Sequence, residues 1–338
     1  MNYEQIKDTA PCGYKRRRTV YPLKAWHVLL FFVFDMLLFL SVGSYVQYHL
    51  GMAGVAITEL WMLGFSLLFV WLMGGQFKKT FPVRKPRPLA LAGTVVFWLG
   101  GYFSMLICNL ILLILFPDSM FNNAVSFDYL VDMVPLPVAF LIIAILPAIC
   151  EEAMHRGVIQ TGISSSVQNR WLVVLIMGTI FGIFHVSPIK FPATAILGMM
   201  MSWLLISTNN MLYSSFFHFF HNAIQVLVLM SASGMAGIHL FGASVYPDYM
   251  QQLTMQILPF SLGIYIAIFG TAVPILLYTG HWMIQRAEAP VKPSFLPKGR
   301  ERITLCKLLI PMAVILVIGI IIACFGFSLL LSSYTGVK

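Results

Sequence analysis

Three short polar clusters interrupt apolar stretches of this chain, and together their residue types could hydrolyse an amide. The first is Glu151-Glu152-Ala-Met-His155-Arg156, which ends the apolar run Val138–Cys150; the second is Phe181-Gly-Ile-Phe-His185; the third is His218-Phe-Phe-His221-Asn222. A carboxylate shielded from water holds a proton more readily, so it can take one from a water molecule near neutral pH. An imidazole beside it can hold and polarise that water. A second imidazole with a carboxamide can donate hydrogen bonds to the oxyanion that forms when an amide carbon is attacked. The same glutamate and two histidines could instead ligate zinc or another divalent metal, with the fourth position left for water. The residue types leave both chemistries open.

Helix periodicity sorts each cluster. Side chains four residues apart share a face, so Glu152 and Arg156 form a pair with the acid N-terminal to the base. Mutual neutralisation is their expected task. Glu151, about 100° round the helix, is left to face something else. His218 and Asn222 are also four apart and present an imidazole and an amide together. His155 lies four after Glu151 and competes as its partner. His221 lies three after His218, and the spacing leaves open which of the two points inward. At about 1.5 Å per residue, Glu151, His218 and Asn222 fall near one depth in the inner half of a bilayer, with His185 about two turns further out. On that count His185 also reads as a helix-end histidine near the interface.

The elements that must position these groups are membrane spans. The chain is 59% hydrophobic and 10% charged, where a soluble domain carries about 25% charged residues. With a mean hydropathy of +0.86, it reads as all-α, a polytopic transmembrane helical bundle. Nine apolar runs approach the length of roughly 20 residues that a span needs: about 25–48, 55–75, 89–116, 138–163, 171–187, 191–208, 211–233, 257–280 and 303–333. Eight spans result if one short run is re-entrant. Four regions follow: a basic tail 1–24, N-terminal helices with an outer loop 25–137, a core 138–233 and C-terminal helices 234–338.

The net charge of +9 sits in loops rather than on a face. Lys15, Arg16, Arg17, Arg18 and Lys24 precede the first run; Lys78, Lys79, Arg84, Lys85 and Arg87 follow the second; Arg286, Lys292, Lys298, Arg300, Arg302 and Lys307 surround the last loop. Cytoplasmic loops carry such an excess, so the N-terminus is expected inside and the C-terminus outside, with no nucleic-acid partner. The first run is too long for a cleaved signal peptide and reads as a retained span. The stretch Pro117–Pro137 reads as an amphipathic surface segment or an ordinary loop. The five cysteines form no C-x-x-C pair, which argues against a disulfide framework or structural zinc. Asp35, a lone acid in the first run, is expected to be structural. Gly64-Phe-Ser66 and Gly326-Phe-Ser328 are too common a pattern to mark a serine protease, and H-E-x-x-H is absent.

Taken in order within apolar runs, E-E-x-x-x-R, F-x-x-x-H and H-x-x-x-N resemble the CPBP intramembrane protease family, which comprises the CAAX prenyl endopeptidases and the bacterial Abi, or bacteriocin-processing, proteins. The resemblance covers residues 138–230. It implies Glu151 and His185 as water-activating residues, His218 with Asn222 as oxyanion stabilisers, and Glu152 and Arg156 in support. A bound metal would sit on Glu151, His185 and His218. The activity implied is an intramembrane endopeptidase of a bacterial plasma membrane. It would cut a peptide or protein substrate in or at the bilayer, near the cytosolic side, as in the Abi-like branch. A proton-coupled transporter using Glu151 and the histidines as a relay is the rival reading. A non-catalytic immunity or scaffold protein that keeps the fold is a third.

Overall fold

Gly51 divides the first long helical stretch into two antiparallel passes. α1 (Ala25–Leu38) continues through a π-helical turn, Phe39–Gly43, into α2 (Ser44–Leu72). At Gly51 the backbone takes φ 54° and ψ −129°, which a residue without Cβ adopts cheaply. The chain doubles back so tightly that Gln47 donates to Thr58 Oγ1 at 2.9 Å. Phe31 of the first pass then stacks on Phe65 and Phe69 of the second, at 5.9 and 4.6 Å between ring centroids.

The computed structural model describes residues 23–120, 134–236 and 248–335, all of it helix and connecting turns without a strand. After α2 come α3 (Phe77–Thr80), α4 (Pro88–Leu115), α5 (Leu136–Ser166), α6 (Arg170–Phe184), α7 (Phe191–Thr208) and α8 (Met211–Ala236). α9 (Asp248–Tyr265) runs through another π-helical turn, Ile266–Gly270, into α10 (Thr271–Glu288), and α11 (Glu301–Thr335) closes the bundle. The basic tail before Leu23 and most of the Pro117–Pro137 stretch lie outside the described residues.

Six of the described stretches are long and apolar enough to cross a membrane: Ala25–Leu72, Pro88–Leu115, Leu136–Ser166, Phe191–Thr208, Gln256–Glu288 and Glu301–Ser332. The sequence suggests eight or nine spans because it separates the two passes of Ala25–Leu72 and includes α6, a helix of 15 residues, and the polar-interrupted α8.

α5 to α8 form the centre. One apolar cluster joins them to the α1–α2 hairpin through Phe31, Met62, Met154, Val158, Met177 and Phe184. A second joins them to α4 and α10 through Trp98, Phe181, Met201, Phe217 and Ile284. Without a hydrophobic drive between helices in lipid, small residues allow the close approach that packing needs. A Cβ on Gly178 of α6 would stand 2.8 Å from Ala195 O of α7, and one on Gly198 of α7 would stand 3.1 Å from Gly178 Cα. Apolar side chains such as Leu30, Leu37, Ile310 and Ile321 stay exposed on the outside, the surface that lipid would cover.

Basic residues from separate loops meet at one end of the bundle. Arg84 bonds Asn210 and Thr208 O, Arg87 reaches Ala287 O and Glu288, and Lys292 donates to Ala287 O at 2.8 Å. Ser165 and Ser166 close the start of α1 onto this same end.

Candidate active site

α5 carries two glutamates because its winding is broken on either side of them. Pro147 has no N–H to give to Ile143, four residues back. The helix is π-wound over Phe140–Ile145 and again over Ala153–Ile159. Such turns inside α-helices are frequent at functional sites. The Ile143 carbonyl accepts instead from Asn222 Nδ2 of α8, at 2.9 Å. A side chain expected to serve the oxyanion therefore also ties α8 to α5, with one of its two amide hydrogens left over.

Glu152 and Arg156 form the expected ion pair, with Nη1 to Oε1 at 2.8 Å and both side chains fully buried. Arg156 Nη2 also donates to Gly198 O at 3.1 Å, and its guanidinium lies 4.6 Å from the centroid of the Phe181 ring. Glu152 Oε1 is shared with His218 Nδ1 at 3.2 Å. A carboxylate accepts only, so this bond places the His218 proton on Nδ1. Nε2 of the same ring turns to Glu151 Oε2 at 4.0 Å. His218 thus bridges the two glutamates.

His185 ends α6 and bonds the Phe181 carbonyl through Nδ1 at 2.9 Å. That bond takes the Nδ1 hydrogen and leaves Nε2 as an acceptor. Depth counting sets His185 apart from Glu151, but the structure brings both to one cavity. The reason is the Val167–Asn169 turn between α5 and α6. Glu151 and His185 lie equally far along the chain from its two ends, Ser166 and Arg170, so antiparallel helices return them to one level.

The cavity measures about 90 Å³ and is lined by Glu151, His185, His218, His221 and Asn222, with Phe181 and Phe217 among its apolar walls. Both His218 and His221 line it, but only His218 meets the carboxylates. His221 Nδ1 accepts from Trp98 Nε1 at 3.3 Å, and its Nε2 meets the Gln225 amide at 3.2 Å. His155 does not compete for the Glu151 carboxylate. Its Nδ1 bonds the Glu151 backbone carbonyl at 2.9 Å, and its ring sits edge-on to Phe181 and Phe184.

Glu59 of α2 is the group that motif reading misses. It is buried, in the helix that packs against the Leu146–Glu152 part of α5, and its Oε2 has no hydrogen-bond partner among the described residues. The signal was present: a lone acid in an apolar run, the same feature that singles out Asp35. Asp35 is itself buried, and neither carboxyl oxygen has a hydrogen-bond partner.

Glu151, His185 and His218 have the donor types a divalent metal takes. Among the described residues, however, no three His, Cys, Asp or Glu side chains converge as a metal-holding group.

The description "Type II CAAX prenyl endopeptidase Rce1-like" is that of a family model matching residues 133–224, which spans all three motifs. No curated protein and no solved structure matches the chain. The matched segment contains every side chain lining the cavity, and the ordered motifs meet there; over this core the chain is similar to the CAAX-type membrane proteases.

Proposed function

We propose that the protein is an intramembrane endopeptidase in which Glu151 and His185 activate water and His218 with Asn222 stabilises the oxyanion. The observation that carries this reading is the shared cavity: an acid, two imidazoles with bare Nε2 atoms and a carboxamide from three helices line one space of about 90 Å³. At about 30 Å³ per molecule it has room for a few waters.

Water gives a proton to Glu151 while His185 Nε2 accepts its second hydrogen as a hydrogen bond. The oxygen attacks the peptide carbonyl carbon. The resulting oxyanion accepts from Asn222 and from His218. Because His218 gives its Nδ1 hydrogen to Glu152, it donates from Nε2 only when the ring carries a second proton. Glu151 Oε2, 4.0 Å away, can deliver one. Collapse of the intermediate breaks the C–N bond, and the departing amine takes the proton that water lost. Glu152 and Arg156 hold the frame, each satisfying part of the other's charge away from water.

The substrate is a peptide or protein segment in or at the bilayer. The membrane is a bacterial plasma membrane, with the basic end of the bundle and the N-terminus in the cytoplasm. Comparative peptidomics of cells carrying wild type or Glu151→Gln tests the reading. Glu151→Gln and His185→Ala are each expected to lower cleavage at least about 100-fold while the protein still inserts. Undiminished cleavage in both variants overturns it.

A metal on the same residues remains a separate proposition with its own measurement. Activity that survives exhaustive chelation is the outcome expected of a carboxylate–imidazole site. Loss on chelation with recovery on added zinc would move the water onto a metal held by Glu151, His185 and His218.

A further inference from the structure

A larger cavity, of about 530 Å³, has no task in that reaction and shares no lining residue with the catalytic one. It opens at the basic end of the bundle, between α3, the end of α5, the start of α6 and the end of α7. Ser164, on its wall, follows Glu151 on the same helix by roughly 20 Å. Lys78, Lys79, Ser164 and Asn209 are exposed around the rim, and Thr161 is half-buried beside them. Each of these side chains carries an N–H or O–H to donate, and two carry a full positive charge. No Asp or Glu lines the space. Pro82, Val173 and Leu205 form a buried apolar floor. Gln160, 2% exposed, joins that floor; it gives Nε2 to Ser202 O at 3.1 Å, and its carbonyl oxygen meets no donor among the described residues. Close by, Trp171 at the start of α6 is 64% exposed and stacks on Trp203 of α7 at 4.6 Å. Tryptophan gathers at membrane–water interfaces, so the cavity sits at head-group level.

We propose that this cavity binds the phosphate head of an anionic membrane lipid. The two lysines and the rim hydroxyls and amide take the phosphate oxygens, and the carbon skeleton of the head lies against Pro82, Val173 and Leu205. The Gln160 carbonyl oxygen suits a head that also carries a hydroxyl. Basic pockets between helices at the ends of spans take such heads, and the volume falls within the roughly 300–1,000 Å³ of small-molecule sites. A free phosphate ion has the same charge but makes no use of the apolar floor. Val167 and Gln168 also line the cavity. They belong to the turn that brings Glu151 and His185 to one level, so an occupant fastens that turn from outside. A ligand bound only to the folded bundle raises its stability.

The test titrates the purified full chain, in neutral detergent, with phosphatidylglycerol and follows the thermal midpoint. Phosphatidylcholine and inorganic phosphate are the comparisons. Phosphatidylglycerol is expected to raise the midpoint by a few degrees and to saturate, and the other two to leave it in place. Each lysine near the surface is worth about fivefold in binding an anionic lipid. Lys78→Gln with Lys79→Gln is therefore expected to move the half-maximal concentration about 25-fold upward. Ser164→Phe narrows the cavity without changing charge and is expected to lose the response as well. Lys298→Gln with Arg302→Gln removes the same charge from the same end, away from the cavity, and is expected to respond as wild type does. No rise with phosphatidylglycerol, an equal rise with phosphatidylcholine or inorganic phosphate, or an equal loss in the Lys298–Arg302 pair would overturn the assignment. None of these readouts needs a peptide substrate, so the lipid site and the peptidase reading fail separately.

Discussion

At the residue scale, the site works by dividing labour between adjacent acids. Glu152 takes Arg156 and His218 Nδ1 on one oxygen, and Glu151 is left with the cavity. This division follows from helix geometry, since four-residue spacing gives Arg156 to Glu152 and not to Glu151. The pair was therefore legible in the residue string. What was not legible is that His218 would bridge both acids, because the bridge spans two helices. Replacing one partner of a fully buried pair leaves an uncompensated charge, at a cost of about 3–5 kcal/mol. Arg156→Leu is accordingly expected to lower stability by that amount in detergent, read as a drop in thermal midpoint. Arg156→Lys should recover only part of it. An ammonium lacks the planar fork that here serves Glu152 and Gly198 O together.

At the element scale, the decisive contacts are close approaches of one helix to the next. α6 and α7 form a short hairpin seated by Gly178, Gly182 and Gly198, where an added Cβ would come within 2.3 Å of Met199, 2.7 Å of Phe191 and 2.7 Å of Phe181 respectively. This hairpin carries Phe181 and His185 to the cavity. Gly178→Val is expected to cost about 1–3 kcal/mol through overpacking and to lower activity further by lifting His185 away. A thermal-melt series with parallel cleavage assays separates the two effects. G-x-x-x-G at Gly178 and Gly182 was visible in the sequence, but the helix it would face was not. Depth counting sets His185 too far out for a related reason. Span ends read from hydropathy are uncertain by a turn, and that error moves a residue from one membrane level to another. The reversal at Gly51 and the Pro147–Ile143–Asn222 arrangement show the same limit. Glycine and proline announce a break in the backbone, and only the neighbouring helix says what fills it.

At the scale of the whole molecule, packing gathers the basic loops at one end, and the proposed orientation puts that end in the cytoplasm. Lys24, Lys78, Arg84, Arg87, Arg286 and Lys292 come from separate loops and collect at one end. Basic loops are retained on the cytoplasmic side. In a cysteine-free background, Lys78→Cys is expected to resist a membrane-impermeant thiol reagent applied to intact cells, and Asp118→Cys to react. Equal labelling of both, or the reverse order, would contradict the proposed orientation.

The amino-acid string by itself determined that this is a helical membrane protein, where its basic loops lie, and which residues share a helix face. Those properties depend on hydropathy, charge and the 3.6-residue repeat, all of which are local. Only the tertiary structure decided that Glu151, His185, His218 and Asn222 surround one cavity, and that His221 turns to Trp98 and Gln225. Depth and azimuth of one helix against another come from close packing over many residues, and no single segment encodes them.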